Sequence, residues 1–267
     1  MNTVLFGIIA IVLYVTVAIR SSAGPAAAHD GYMLRTTSGL LAVLALAAHA
    51  LTLYPLTVTR GGFNLGIFAA ASLVAWLVAG VAVLATARRP LGSLTVVILP
   101  FAAVVVGISL VFSHPHRVVV ATAPGLALHI ALSLVAYALF AIAALQALYY
   151  AFAERRLKQH HPVMSFLPPL TVMEQTMFQL TAIAFVLLSL GLVIGAYYIE
   201  DVRGQHLAHK IVFSVLAWLT FAVLLAGRHW RGWRGRQAAK YVIGGFALLA
   251  LGFFGSKIAL ELVLQRA

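Results

Sequence analysis

Eight apolar runs, each close to the length of a membrane crossing and separated by short charged connections, dictate what this chain can become. They fall at about 3–19, 36–56, 65–87, 94–113, 125–152, 173–199, 210–227 and 241–262. A helix crosses a bilayer core with roughly 20 residues, range about 17–25, so the first and seventh runs are short and the fifth is long. Inside hydrocarbon the backbone must satisfy its own hydrogen bonds, which each run can do alone only as a helix. The expected fold is therefore all-α: a polytopic bundle of about eight transmembrane helices forming one domain over residues 1–267. No connection is long enough for a soluble domain, and no internal repeat stands out. Composition agrees, with 63% hydrophobic residues, 9% charged and a mean hydropathy of +1.03. Soluble domains are about 45–50% apolar and about 25% charged.

The net charge is +12 with six acidic residues. The bases sit in clusters between apolar runs rather than along one soluble face, which excludes a nucleic-acid partner. Twelve of the eighteen Lys and Arg lie in connections 1–2, 3–4, 5–6 and 7–8, from Arg20 to Lys240, and only Arg60, Arg117, Arg203 and Lys210 lie in the others. The excess marks the cytoplasmic side and puts both termini outside, on the periplasmic face of a bacterial inner membrane. Thr3–Ile19 has no basic residue before it, and Arg20 follows it, an order that suits an uncleaved anchor rather than a secretion signal. Thr171-x-x-Glu174 has the form of a capping box opening the sixth helix. Pro100 and the glycines at 107, 191 and 195 are the only helix interruptions expected in the runs. The stretch Arg228-His-Trp-Arg-Gly-Trp-Arg-Gly-Arg236 reads as a loop, either an interfacial anchor on an anionic leaflet or a docking site for a cytoplasmic partner.

With no cysteine in the chain, disulfides, zinc–thiolate sites, iron–sulfur clusters and covalent haem attachment are all excluded. The acidic residues Asp30, Glu154, Glu174, Glu200, Asp201 and Glu261 all fall in connections or at run ends, so an acidic proton relay has no carrier. A small-metabolite transporter is correspondingly disfavoured, and no hydrolase, kinase or dinucleotide motif is present. Ten histidines remain for ligand chemistry. His129 lies about one turn into the fifth run, which opens at Pro124, and Ser133 and Tyr137 follow at i+4 and i+8 on one polar stripe. His49 lies six residues before Pro55, which puts both imidazoles roughly 7–9 Å below the outer surface. Each could simply donate a hydrogen bond to a neighbouring helix. Together they could hold haem, a quinone or a metal, and two helices offering one histidine each best match bis-imidazole haem. His206 and His209 form an i, i+3 pair at the outer mouth of the seventh run, His209 being the better placed. His229 sits at its inner end, to cap the last turn or to ligate something from the cytoplasm. His114, His116, His160, His161 and His29 are read as solvated or lip residues.

The string Pro124-Gly125-x3-His129-x3-Ser133-x3-Tyr137 resembles the CcsA-like cytochrome c assembly family of haem-handling membrane proteins. So does Gly195-Ala-Tyr-Tyr followed by His209-Lys210-x3-Ser214-x3-Trp218 and Gly227-Arg228-His229-Trp230-x-Gly232. The resemblance covers roughly residues 36–262 and is strongest from 120 onward. It is closest to a short, eight-helix inner-membrane branch, since Tyr197–Lys210 contains no Trp where transfer-competent members carry a tryptophan-rich outer segment. It implies non-covalent, b-type haem, with His129 and His49 as axial ligands to iron and His209 and His229 as further haem-binding candidates. Ser133 and Tyr137 would then orient imidazole or bind a propionate. The implied role is haem handling in cytochrome c or respiratory-complex assembly, beside other membrane assembly partners and the lipid bilayer, as an assembly factor rather than a catalyst. The rival reading is a cofactor-free scaffold or regulator that recruits partners through residues 228–240.

Overall fold

A computed structural model describes residues 2–22, 31–59, 62–64, 66–88, 92–112, 118–119, 124–163, 167–198 and 208–255. Among the described residues, eight helices are long and apolar enough to cross a membrane. They are α1 (Thr3–Ser22), α2 (Gly31–Thr57), α3 (Ile67–Arg88), α4 (Gly92–Phe112), α5 (Pro124–Lys158), α6 (Leu170–Tyr198), α7 (Ala208–Arg231) and α8 (Gly235–Ala250), the last continued by a π-helical turn, Leu251–Gly255. The all-α expectation holds, with one small addition. Strands β1 (Val58–Thr59), β2 (Gly62–Asn64) and β3 (Val118–Val119) pair antiparallel, Val58 with Phe63 and Phe63 with Val119. Asn64 secures this ribbon, its amide donating to Leu56 O at 3.1 Å while its carbonyl accepts from Gly66 N at the start of α3.

The helices fall into two compact units, residues 1–120 with 164–168, and residues 121–163 with 169–267. In unit 1, α1 packs on α2 and α4, and α3 packs on the same two, closing a four-helix ring. Unit 2 repeats the pattern, with α5 against α6 and α8, and α7 against the same two. Antiparallel neighbours joined by short loops give this up-down-up-down order. Unit 1 is dense in small residues, with Ala10, Ala45, Ala79, Ala82 and Ala102 at or near zero exposure. Small side chains let apolar helices approach where lipid supplies no hydrophobic drive. Both units also stack aromatic rings, Phe68 on Phe112 at 5.6 Å in unit 1, and Phe140 on Phe221 at 3.9 Å and Phe185 on Trp218 at 5.5 Å in unit 2. Trp218 Nε1 also donates to Ser189 Oγ at 2.8 Å.

Several boundaries depart from the hydrophobic pattern, each for a physical reason. Helix α5 continues past its apolar run through Arg155, Arg156 and Lys158, where Lys158 pairs with Glu154 at 3.0 Å across one turn. It ends at Lys158 and is closed by His160, whose φ of 54° and 3.1 Å bond to Leu157 O, with His161 N bonded to Arg156 O, form a left-handed cap. Helix α6 starts one residue before Thr171, with Pro169 O accepting from Val172 N and Met173 N. Glu174 therefore makes no capping box; it accepts from Arg228 Nη1 of α7 at 2.8 Å. The expected 228–236 loop shrinks to residues 232–234, because Gly232 and Gly235 take φ of 64° and 60° and turn the chain at once into α8. Gly191 and Gly195 do not interrupt α6, which runs unbroken across them. Pro55 likewise lies inside α2 rather than ending it.

Candidate functional site

The first turns of α5 face the last turns of α6, and glycine sets how closely they meet. A Cβ on Gly125 would collide with the ring of Tyr198. A Cβ on Gly195 would stand 2.7 Å from Cε1 and 2.8 Å from Nδ1 of His129, and one on Gly191 would stand 3.2 Å from Ser133 Oγ. Gly191-x3-Gly195 is thus a small-residue face on which the His129 imidazole lies directly against backbone. There Nδ1 is 2.7 Å from Gly191 O. A carbonyl can only accept, so Nδ1 carries the hydrogen and donates, which makes Nε2 the acceptor nitrogen, without a hydrogen-bond partner among the described residues. A histidine held through one nitrogen by a backbone carbonyl, with the other available, has the form that metal-ligating histidines take. The residue is half-buried.

Ser133 shares this seam, but Tyr137 leaves it. Each i+4 step rotates about 40° around a helix, so two steps carry Tyr137 well off the His129 face. Its ring packs instead among Phe246, Phe253 and Phe254 at centroid distances of 5.3–5.9 Å. The polar stripe read from the sequence therefore divides between α6 and the α8 end of the bundle.

His49 has quite different surroundings. It is fully buried in unit 1, with Nδ1 3.0 Å from Tyr14 Oη and Nε2 3.0 Å from Ser72 Oγ. Ser72 Oγ is 3.4 Å from Ser109 Oγ, and Ser109 donates to Val106 O at 2.8 Å. One residue from each of α1, α2, α3 and α4 thus joins a single chain of hydrogen bonds. Tyr14, at zero exposure, needs an acceptor for its hydroxyl hydrogen, and Nδ1 of His49 is the one at hand. That assigns the hydrogen to Nε2, which donates to Ser72. Both imidazole nitrogens are employed, so binding iron through either would break a buried hydrogen bond.

His209 is exposed at the start of α7 and His229 is exposed near its end, 20 residues away. At 1.5 Å per residue they are about 30 Å apart and cannot serve one bound group. His209 lies at the same end of unit 2 as His129, and His229 at the other. His29, His114, His116 and His206 lie outside the described residues. Among the described residues no three His, Asp or Glu side chains gather as a metal cluster. Sequence reading overlooked Gly191 and Gly195 as the cradle, although their four-residue spacing is the signal of close helix packing. Tyr14 and Ser72 were overlooked as partners of His49, since nothing in spacing along the chain links residues 14, 49 and 72.

Fold and site define a multi-pass helical membrane protein that presents one carbonyl-anchored imidazole at the end of a glycine-lined helix seam. The chain belongs to the cytochrome c assembly protein family, whose profile matches residues 37–264. It is 33% identical over 225 residues to the inner membrane protein YpjD of Escherichia coli strain K12, covering 83% of this chain and 86% of that one. A cytochrome c biogenesis protein CcsA from Picosynechococcus is 30% identical over 83 residues, which is 30% of this chain and 25% of that protein. No solved structure matches the chain. With this kinship and eight crossings, it is a multi-pass inner-membrane protein.

Proposed function

We propose that this protein handles haem in cytochrome c biogenesis, with Nε2 of His129 as an axial ligand. The observation that carries the reading is the 2.7 Å contact between His129 Nδ1 and Gly191 O. It fixes the tautomer and turns the ring, and Nε2 has no partner among the described residues, so the residues present fit an iron-bearing group. Haem, when bound, would supply an iron that His129 would hold through its imidazole. The protein's own part is to hold the imidazole in place, Gly195 allowing the approach and the α6 carbonyl raising the basicity of Nε2. Ser133 would steady the same seam, and Tyr137 with its phenylalanines would offer an apolar wall. His209, at the same end of unit 2, is the candidate for a second ligand. His49 is better suited to holding unit 1 together. Family membership supports the role, and the relative named for cytochrome c biogenesis supports the pathway.

The test is the absorption spectrum of protein purified from a haem-replete host. A Soret band and an α band are expected in the wild type and should be lost in His129→Ala. A colourless wild-type preparation that stays unchanged when haemin is added would defeat the proposal.

A further inference from the structure

The turn that joins α7 to α8 puts its two tryptophans to different use. Trp233 folds inward: its backbone N–H donates to Gly227 O at 3.1 Å, and its ring stacks on Tyr241 at 4.9 Å. Gly227 admits that ring, since a Cβ there would meet it, and Arg228 Nη1 donates to both Glu174 and Trp233 O. Trp230 is left 81% exposed, and Arg231, Arg234, Arg236 and Lys240 are exposed with it. The chain itself keeps these cations together. Arg234 and Arg236 are two residues apart, so their Cα atoms are at most about 7 Å apart. Arg236 and Lys240 lie one turn apart on α8 and share a face. None of the four has a carboxylate partner among the described residues. Glu154 and Glu174 are the acidic side chains there, and each already holds another cation, Lys158 and Arg228.

We infer that this turn is a binding surface for the phosphates of anionic phospholipids. Depth along the helices decides the occupant. Helix α7 can cross as His209–Arg231 and α8 as Gly235–Gly255, which leaves residues 232–234 between them. Arg231 lies four residues past Gly227, where the apolar run stops, or about 6 Å along the axis. The headgroup layer is roughly 5–8 Å thick on each side of a bilayer. A turn this short therefore keeps its cations inside that layer, and does not lift them to where a soluble protein would dock. Phosphate is the anion that the layer supplies, and arginine binds it through two parallel N–H groups. The exposed indole suits the same depth, with its ring toward the acyl chains and its N–H toward the headgroups. Four unpaired cations beside it add a preference for anionic over zwitterionic lipid. The sequence leaves open an interfacial anchor or a partner-docking loop; the folded turn favours the lipid. This surface does not depend on the haem reading.

Quenching of Trp230 by brominated lipid tests it, with the full-length protein in phosphatidylcholine nanodiscs. Subtracting the emission of Trp230→Phe isolates the signal of the exposed indole. Brominated phosphatidylglycerol should quench that signal at least about twofold more than brominated phosphatidylcholine at the same mole fraction. The preference should vanish in the Arg231→Gln/Arg234→Gln/Arg236→Gln variant. It should also vanish in about 1 M salt, where the screening length is about 3 Å. Equal quenching by the two lipids would reduce the turn to an ordinary interfacial belt and overturn the inference. Quenching by neither would put the turn clear of the bilayer, as docking to a soluble partner requires, and would overturn it too. Should the glutamine variant fail to fold, the salt arm in the wild type decides, and a preference that salt leaves unchanged counts against phosphate binding.

Discussion

Both four-helix units set a histidine between helices, His49 buried and His129 half-buried, and bond it differently. In unit 1 the ring of His49 is consumed: Tyr14 donates to one nitrogen and the other donates to Ser72. In unit 2 the ring of His129 is anchored through Nδ1 to a carbonyl, with no partner for Nε2 among the described residues. The neighbours explain the contrast. Hydroxyls can both give and take, so a histidine among them finds a partner for each nitrogen. A backbone carbonyl can only take, so it fixes one nitrogen and frees the other. Depth in the membrane, which matched the two residues in the sequence, did not foretell this difference in bonding.

The largest expected effect breaks this symmetry outright. In the haem spectrum, His129→Ala should abolish the Soret absorbance per mole of folded protein, whereas His49→Ala should leave it close to wild type. Loss in both variants alike would return His49 to the ligand set. Stability should follow the reverse order. His49→Ala removes a buried ring and orphans both Tyr14 and Ser72, at a cost of about 3 kcal/mol. His49→Gln, whose amide can accept from Tyr14 and donate to Ser72, should recover part of that in a denaturation assay. Next comes Gly195→Ala, whose methyl would displace the His129 ring. We expect haem affinity, measured by titration with haemin, to fall about tenfold, or about 1.4 kcal/mol, with the unfolding midpoint nearly unchanged. Ser72→Ala should cost about 1 kcal/mol, the value of one modest buried hydrogen bond. The smallest effect is expected from replacing Arg231, Arg234 and Arg236 together by Gln, which should leave the spectrum untouched. Those arginines are exposed beside Trp230, itself 81% exposed. A variant that keeps its spectrum yet loses function in cells would favour the scaffold reading of residues 228–240.

The eight crossings were legible because lipid imposes a length and a polarity that the chain must display. Helix ends were less so. Arg155, Arg156 and Lys158 extend α5 beyond its apolar run, and Arg236 and Lys240 lie within α8, since helix continues into water where polarity no longer marks it. His129 stood out as a polar group in apolar surroundings, and its spacing to Ser133 placed both on one seam. Its cradle was not legible, because Gly191 and Gly195 act by what they lack. Nor was the fate of His49: Tyr14, Ser72 and Ser109 lie 35, 23 and 37 residues from their partners along the chain, and only the folded ring brings them together.

That four-helix hydrogen-bond chain also sets a timetable for insertion. Tyr14 and His49 can pair when the second helix enters, but Ser72 waits for the third and Ser109 for the fourth. Unit 1 becomes fully paired only when α4 has left the ribosome and entered the bilayer. His129 depends on none of this. Its anchor arrives 62 residues later along the chain, with α6. The imidazole proposed to bind iron is thus made without its carbonyl and acquires it only when the next helix docks, so its preparation for a ligand is a late event in biogenesis.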